Sequence, residues 1–406
     1  LSLQVWPCEE MGGGSGVEES EIGSVTQSRL RRTKGLSISS SAALRFIWNC
    51  RLNLSPAPAN SNTKTYPAAL ATAKPVPSRW QQVAYGGGIP ANMSRLSVRL
   101  QIPAFLLGFW CAGMRRTRRA AVVHCHWTIS GFVAYWATRL SRRPLVLSVR
   151  GSDIMRLEKG LMGWVNRRTY RWMDRIIAVS EDIAERLRAA GVDGEKIRVV
   201  YNGVDERFQP RDRSQMRRRL SLPQDRLQIL FVGLLAPVKG LDILIEALRL
   251  VGDGEADCLL VGTGPLEEQL RRAAAAAGIA ERVRFVGPQP SGEIPAWLNA
   301  ADLLVLPSLS EGRPNVVVEA QACGLPVLAT RVGGTPELIE HGETGLLVES
   351  GDPEALAAGL SRLLCDAGLR QRLGRLGRER LAAQGLTWEA SAVRIRAIYD
   401  ELLEAG

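Results

Sequence analysis

From residue 205 onward one pattern repeats: a short apolar run closed by Gly, Pro or Thr, then an amphipathic stretch of helical periodicity. The runs are 228–233, 257–262, 282–287, 303–307, 326–330 and 345–348, and residues 241–251 and 266–277 are helical stretches of this kind. Continuous apolar runs are buried on both faces, and such strands belong to parallel sheets covered by helices. Similar runs precede them at 121–126, 144–149, 175–179 and 197–201. The chain therefore predicts an α/β protein built from two Rossmann-like units. Its 406 residues, well beyond the usual length of one domain, agree with two units. Open parallel sheets bind ligands beyond the carboxyl ends of their strands, so the residues after each run are the ones to examine.

Composition excludes several classes. The longest uncharged run, 120–138, is broken by His124, His126, Thr128 and Ser130, which excludes a polytopic membrane protein. Seven cysteines, an odd number without CxxC spacing, fit a reducing compartment and no structural zinc. The net charge of +11 is unevenly spread: residues 81–205 hold 20 Lys and Arg against 9 Asp and Glu, whereas residues 206–406 hold 23 against 27. An acidic C-terminal half does not suit a nucleic-acid binder, so no nucleic-acid partner is expected. An anionic membrane surface or an acidic acceptor fits the basic segment better. Residues 1–75 are rich in Ser, Gly, Asn and Pro, show no sustained periodicity and lack the order of a secretory signal. They are expected to be poorly structured or a non-native extension.

Chemistry is concentrated in three segments that follow strands. After 228–233, Leu234-Leu235-Ala236-Pro237-Val238-Lys239-Gly240 turns into a helix and delivers a lysine at its start. A cation beside a helix N-terminus attracts a diphosphate, because ammonium charge and unpaired N–H groups act on the same anion. A solvated surface lysine is the plainer alternative. After 303–307, Glu311-Gly312-Arg313-Pro314-Asn315-Val316-Val317-Val318-Glu319 spaces two carboxylates by about two turns of a short buried helix. Pro314 suits its first position and Gly324 its end. One carboxylate can meet a sugar hydroxyl at the helix start while the other accepts two hydroxyls of a ribose. Two surface glutamates would show the same spacing, but the place between two buried strand patterns favours a site. After 326–330, Gly333-Gly334 lets backbone approach a phosphate, and Thr335 can cap a helix opening with Pro336. Gly262-Thr263-Gly264 lacks a third glycine in step, so it reads as a tight strand-to-helix turn and disfavours a nicotinamide-dependent dehydrogenase.

In this order, Lys239-Gly240, the Glu311 to Glu319 spacing and Gly333-Gly334-Thr335-Pro336-Glu337 resemble the donor half of the family-4 retaining glycosyltransferases of the GT-B fold. The resemblance runs from about residue 85 to the C-terminus and takes in Tyr201-Asn202-Gly203-Val204-Asp205. It implies two Rossmann-like domains facing across a cleft: an acceptor-side domain over 76–205 and a nucleotide-sugar domain over 206–385. Residues 386–406 would form a helix returning to the first domain. The implied activity moves a sugar from a nucleotide diphosphate to a glycan or lipid-linked acceptor with retention of configuration, in cell-surface glycan or glycolipid synthesis. By the same resemblance Lys239 neutralises the diphosphate, and Glu311 with backbone N–H groups around Asn315 and Val316 holds the sugar. Glu319 holds the ribose, and Gly333 and Gly334 complete the donor site. No cofactor beyond the nucleotide-sugar substrate and no metal are implied, in keeping with the lack of a strict Asp-x-Asp. Front-face attack assisted by enzyme cations is favoured over Glu311 as a covalent nucleophile.

Two positions depart from the family pattern. Gly233-Leu234 stands where Gly-Arg is common, so one diphosphate-binding cation is missing, and Val149-Arg150-Gly151-Ser152-Asp153 stands where His-Gly often ends an N-terminal strand. Arginine cannot act as a base but can stabilise a leaving diphosphate, so Arg150 joins Lys239 and Glu311 as a catalytic candidate and supplies the cation that Leu234 lacks. His124 and His126, two apart on a strand, face one side, and without a third ligand they make no metal site. His126, nearer the strand end, either lines the acceptor side with Asp153 or is structural. Residues 102–114, followed by Arg115, Arg116, Arg118 and Arg119, read equally as an amphipathic element on an anionic membrane or as a Rossmann helix with a solvated basic end. The corresponding location is cytoplasmic, with peripheral contact on the inner face of the cell membrane. The family's opening strand, glycine loop and helix do not read out of 1–75, and Gly86-Gly87-Gly88 comes late. An incomplete N-terminal domain is therefore expected, and an inactive GT-B remnant that binds nucleotide or a protein partner is the alternative function.

Overall fold

The computed structural model describes residues 2–7, 110, 114, 117, 120–139, 141–151, 160–252 and 256–405. The N-terminal sheet holds β1 (Ser2–Pro7), β2 (Ala120–His126), β3 (Leu145–Val149), β4 (Arg175–Ala178) and β5 (Ile197–Val199), in that spatial order. Strands β2 to β5 are parallel and are joined by α1 (Thr128–Thr138), α2 (Gly160–Trp172) and α3 (Glu181–Ala189). β1 pairs antiparallel with β2 and lies within the stretch expected to be poorly structured. A six-residue segment carries too short an alternation to register as a pattern, and the edge of β2 supplies the pairing that its own sequence does not signal. The rest of 1–75, the glycines at 86–88, Asp153 and nearly all of the apolar and basic stretch 102–119 fall outside the described residues.

The C-terminal domain continues with α4 (Arg213–Arg219), β6 (Leu227–Val232), α5 (Leu241–Val251), β7 (Ala256–Val261), α6 (Glu267–Ala276), β8 (Val283–Gly287) and α7 (Ile294–Ala300). It closes with β9 (Leu303–Leu306), α8 (Asn315–Ala322), β10 (Val327–Thr330), β11 (Leu346–Val348), α9 (Pro353–Cys365), α10 (Ala367–Ala383) and α11 (Trp388–Glu404). All ten apolar runs are strands, with ends shifted by at most two residues. Burial accounts for this. Ile229, Leu230 and Phe231 of β6 and Leu303, Leu304 and Val305 of β9 are fully enclosed, each worth about 1.5–3 kcal/mol of apolar transfer.

The strand order is β11-β10-β9-β6-β7-β8, all parallel. The chain winds outward from β6 on one side and from β9 on the other, so the order reverses between those two strands. Their carboxyl ends flank a crevice, the place where open α/β sheets hold ligands.

Helix α11 lies on the N-terminal sheet, where Ile398, Tyr399 and Leu402 pack with Val122, Val146, Ile177 and Val200. Glu401 accepts from Arg175 at 2.6 Å and Arg198 at 2.9 Å. At the amino ends of β6 and β9 sits Asp302, 2% exposed, which accepts from Arg217 Nη2 at 2.5 Å, Arg213 Nη1 at 2.8 Å and the Gln228 N–H at 2.6 Å. This carboxylate ties α4 to the sheet. Removing one partner of a buried pair strands the other charge, so Asp302→Ala is expected to lower the unfolding free energy by about 3–5 kcal/mol. Glu246→Ala, on the solvent side of α5, should leave it nearly unchanged. Urea titration followed by circular dichroism measures both, and equal losses would remove the anchoring role of Asp302.

Candidate active site

β6 runs through Leu234, whose side chain is exposed, into one 3₁₀ turn, Pro237–Lys239, before α5 begins. Gly240 closes that turn at φ +60° and lies so near the Pro307 carbonyl that a Cβ would stand 2.2 Å from its oxygen. Only glycine fits there. The close approach draws the β6 turn onto the end of β9, and the Leu309 N–H donates to the Val238 carbonyl at 2.9 Å. Lys239 Nζ then reaches Glu311 Oε1 at 2.5 Å, and the same oxygen accepts from Ser308 Oγ at 2.6 Å. The two side chains are 21% and 10% exposed, so the ion pair is shielded but open to the crevice.

Pro314 proves to be the N-cap of α8 rather than its first residue, because its ψ of 110° keeps it extended and Asn315 opens the helix. Asn315 Oδ1 accepts from Asn202 Nδ2 at 3.0 Å, and Val316 beside it is half-buried. One helical turn further on, Glu319 makes no side-chain hydrogen bond among the described residues. Burial pushes its carboxyl up to about 7, with the charge of Arg207 opposing and that of Asp205 adding. The expected helix at Thr335-Pro336 does not form. The Gly334 N–H is drawn to the Gly312 carbonyl at 2.8 Å, and residues 332–338 make successive turns, with the Thr335 hydroxyl buried and unpartnered. Gly333 and Gly334 thus lie directly on the Glu311 loop.

The N-terminal domain supplies the opposite wall. Gly151 packs on Gly312, and a Cβ on it would come within 2.8 Å of the Gly312 Cα, so Arg150 stands beside the loop that carries Glu311. His126 ends β2; burial and the nearby charge of Arg150 lower its pKa to about 4, leaving a neutral ring with a buried, unpartnered Nδ1. His124 is enclosed, with Tyr399 Oη at 2.5 Å from Nδ1 and Ser148 Oγ at 2.8 Å from Nε2. Its role is structural. Glu337 accepts from the N–H groups of Glu181 at 3.1 Å and Asp182 at 3.0 Å, an anion at the start of α3. Arg313, 7% exposed, lies 4.5 Å over the Tyr201 ring.

The structure therefore brings Lys239, Glu311, Gly333 and Gly334 together at the crevice, carries Asn315, Val316 and Glu319 on the helix that follows the Glu311 loop, and sets Arg150 against that loop with His126 near it. Asp153 lies outside the described residues. Ser308, Arg313 and Glu337, which stand inside or beside the motifs, also join the site; the local signal for Ser308 is its place three residues before Glu311, and its burial is a property of the fold. Among the described residues no three His, Cys, Asp or Glu side chains are grouped to hold a metal, and no helix is long and apolar enough to cross a membrane.

The profile of glycosyl transferases group 1 matches residues 212–380, and that of glycosyltransferase family 4 matches residues 74–208. A D-inositol 3-phosphate glycosyltransferase of Streptomyces bingchenggensis is 34% identical over 338 residues, 77% of this chain and 73% of that protein. The chain belongs to this glycosyltransferase family. A protein of the same description from Catenulispora acidiphila is 34% identical over 78% of this chain and 81% of its own. Among solved structures, Anabaena HepE in complex with UDP is similar at 25% identity and TM-score 0.66, over 72% of this chain and 82% of that one. Sucrose-phosphate synthase of Thermosynechococcus elongatus is similar at 27% identity and TM-score 0.67, over 75% and 78%. The glycosyltransferase described here thus has the GT-B fold, with two Rossmann-like domains.

The Glu319 environment makes the stability of this glycosyltransferase pH-dependent. Between about pH 4.5 and pH 7 the native carboxyl keeps a proton that the unfolded chain has released, so stability falls as pH rises through that window. Glu319→Gln is expected to remove a fall on the order of 3 kcal/mol, read from urea unfolding at about pH 5 and pH 8. Identical pH profiles for both proteins would mean that the carboxylate is freely solvated.

Proposed function

We propose that this glycosyltransferase moves a sugar from a nucleotide-diphosphate donor, UDP-linked in the first instance, to a glycan or lipid-linked acceptor with retention of configuration and without a metal ion. The observation that carries the reading is the Lys239–Glu311 ion pair at the point where the sheet reverses. The two charges hold each other. A donor replaces both contacts: its diphosphate takes Lys239, and a sugar hydroxyl takes Glu311. Solved structures of HepE with UDP and with UDP-glucose support uridine as the base. Relatives described as D-inositol 3-phosphate glycosyltransferases make a phosphorylated polyol a second acceptor to test.

As the bond from the anomeric carbon to the diphosphate breaks, negative charge grows on the leaving oxygen. Lys239 from one wall and Arg150 from the other stabilise that charge more in the transition state than in the ground state. The acceptor hydroxyl attacks from the same face, and its proton passes to the departing phosphate oxygen. His126, neutral at physiological pH, accepts a hydrogen bond from the acceptor and does not compete for the proton. Glu319 accepts from both ribose hydroxyls only when ionised, because its protonated form turns one oxygen into a donor, so donor affinity rises as pH passes through about 7. The basic segment at 81–205 supports peripheral contact with an anionic membrane on the acceptor side.

Calorimetric titration with UDP, GDP and ADP, without added metal, tests the donor site. UDP should bind, and Glu319→Ala and Lys239→Ala should each weaken it by about tenfold or more. Binding of no nucleotide by the folded protein would overturn the reading, and unchanged affinity in Glu319→Ala would put the ribose elsewhere. In steady-state transfer assays Arg150→Ala should lower kcat by about 10²–10³ with donor binding retained. Unchanged turnover would remove Arg150 from catalysis.

A further inference from the structure

A second cleft opens at the opposite end of the C-terminal sheet, where its strands begin. Its volume is about 460 Å³, and it lies beside Gly324 and Pro326, where α8 ends and β10 begins. That size falls in the range of small-molecule sites, about 300–1,000 Å³. The donor crevice lies at the carboxyl ends of these parallel strands and this cleft at their amino ends, so the two are separate.

The charge around the second cleft is unbalanced. Arg213, Arg370, Arg375 and Arg378 line it, with Asp302 and Glu379 as the carboxylates. Asp302 is already committed to Arg213, Arg217 and the Gln228 N–H. Both oxygens of Glu379 are taken by Arg375, at 2.9 Å and 3.1 Å. Arg370 is turned to the carbonyls of Leu363 and Leu364, at 2.5 Å and 2.9 Å, where α9 ends. Arg378 makes no hydrogen bond or ion pair among the described residues. Two of the four guanidinium groups therefore lack a carboxylate, within a half of the chain where 27 acidic residues outnumber 23 basic ones. Four guanidinium groups against two carboxylates leave the concave surface net positive, which draws an anion to it. The planar fork of arginine matches the oxygens of a phosphoryl group two at a time.

We propose that this cleft binds a small phosphorylated anion, held chiefly by Arg378 and Arg375, with Arg213 and Arg370 closing the sides. The ligand class follows from the concavity, which suits a compact molecule, and from the excess of guanidinium groups over carboxylates around it. Arg375 reaches the anion by leaving Glu379, an exposed pair that is worth little in water.

Inorganic pyrophosphate is the probe, titrated calorimetrically into the full chain carrying Lys239→Ala so that the donor crevice does not compete. One equivalent should bind, and adding Arg375→Ala and Arg378→Ala should weaken that binding tenfold or more, with the melting temperature unchanged because both side chains are exposed. Affinity should also fall as sodium chloride is raised. Unchanged affinity in the arginine variant, or no binding before those changes, overturns the proposal. UDP titration into the arginine variant on the Lys239 background's parent sequence reads the donor site separately, so failure of one site is not mistaken for failure of the other. Co-sedimentation with phosphatidylglycerol vesicles that depends on Arg375 and Arg378, in the absence of pyrophosphate binding, would assign the cleft to a lipid surface and overturn the small-anion reading.

Discussion

The Lys239–Glu311 ion pair is where the topology of the C-terminal sheet becomes chemistry. The two residues are 72 positions apart, and they meet because β6 and β9 are neighbours while β7 and β8 are laid outward between them in sequence. At 21% and 10% exposure the pair feels a lower dielectric than bulk water, so each charge needs a counter-charge at all times. On the proposed reading, an incoming donor exchanges partners with the pair rather than adding to it. Ser308, bonded to the same carboxylate oxygen, limits where Glu311 can point during that exchange.

Around the pair, the domains meet through small, specific contacts. Gly151 lies on Gly312, Glu337 closes the start of α3, and Asn202 meets Asn315. The chain passes between domains twice, near residues 204 and 386, and the two passages touch: the Val204 N–H donates to the Leu386 carbonyl at 3.0 Å. Gly203 is pressed against Thr387 so closely that a Cβ would stand 2.1 Å from its backbone. The Gly151, Glu337 and Asn202 contacts all fall on the segments that carry the site motifs, so the two domains meet at the candidate site.

Much of this fold was legible in the sequence because strands buried on both faces are continuous apolar runs, and ten of them stand out. Ser2–Pro7 was not legible, since its pairing depends on the edge offered by β2 rather than on its own alternation. The site motifs were legible as residues that follow strands, which is a property of order along the chain. Their partnerships were not. That Lys239 meets Glu311 requires β6 beside β9, and strand order is set by the crossovers, not by local periodicity. Thr335 does not cap a helix for the same reason: the Gly312 carbonyl that claims the Gly334 N–H is distant in sequence. The raised pKa of Glu319 likewise depends on burial that its spacing from Glu311 does not reveal.

The most direct test of the account is a crystal structure with UDP-glucose bound. It should show Lys239 Nζ within hydrogen-bond distance of a diphosphate oxygen, Glu311 on a hydroxyl of the sugar, and the 2.5 Å contact between them broken. A donor seated elsewhere, with the Lys239–Glu311 pair intact, would contradict it.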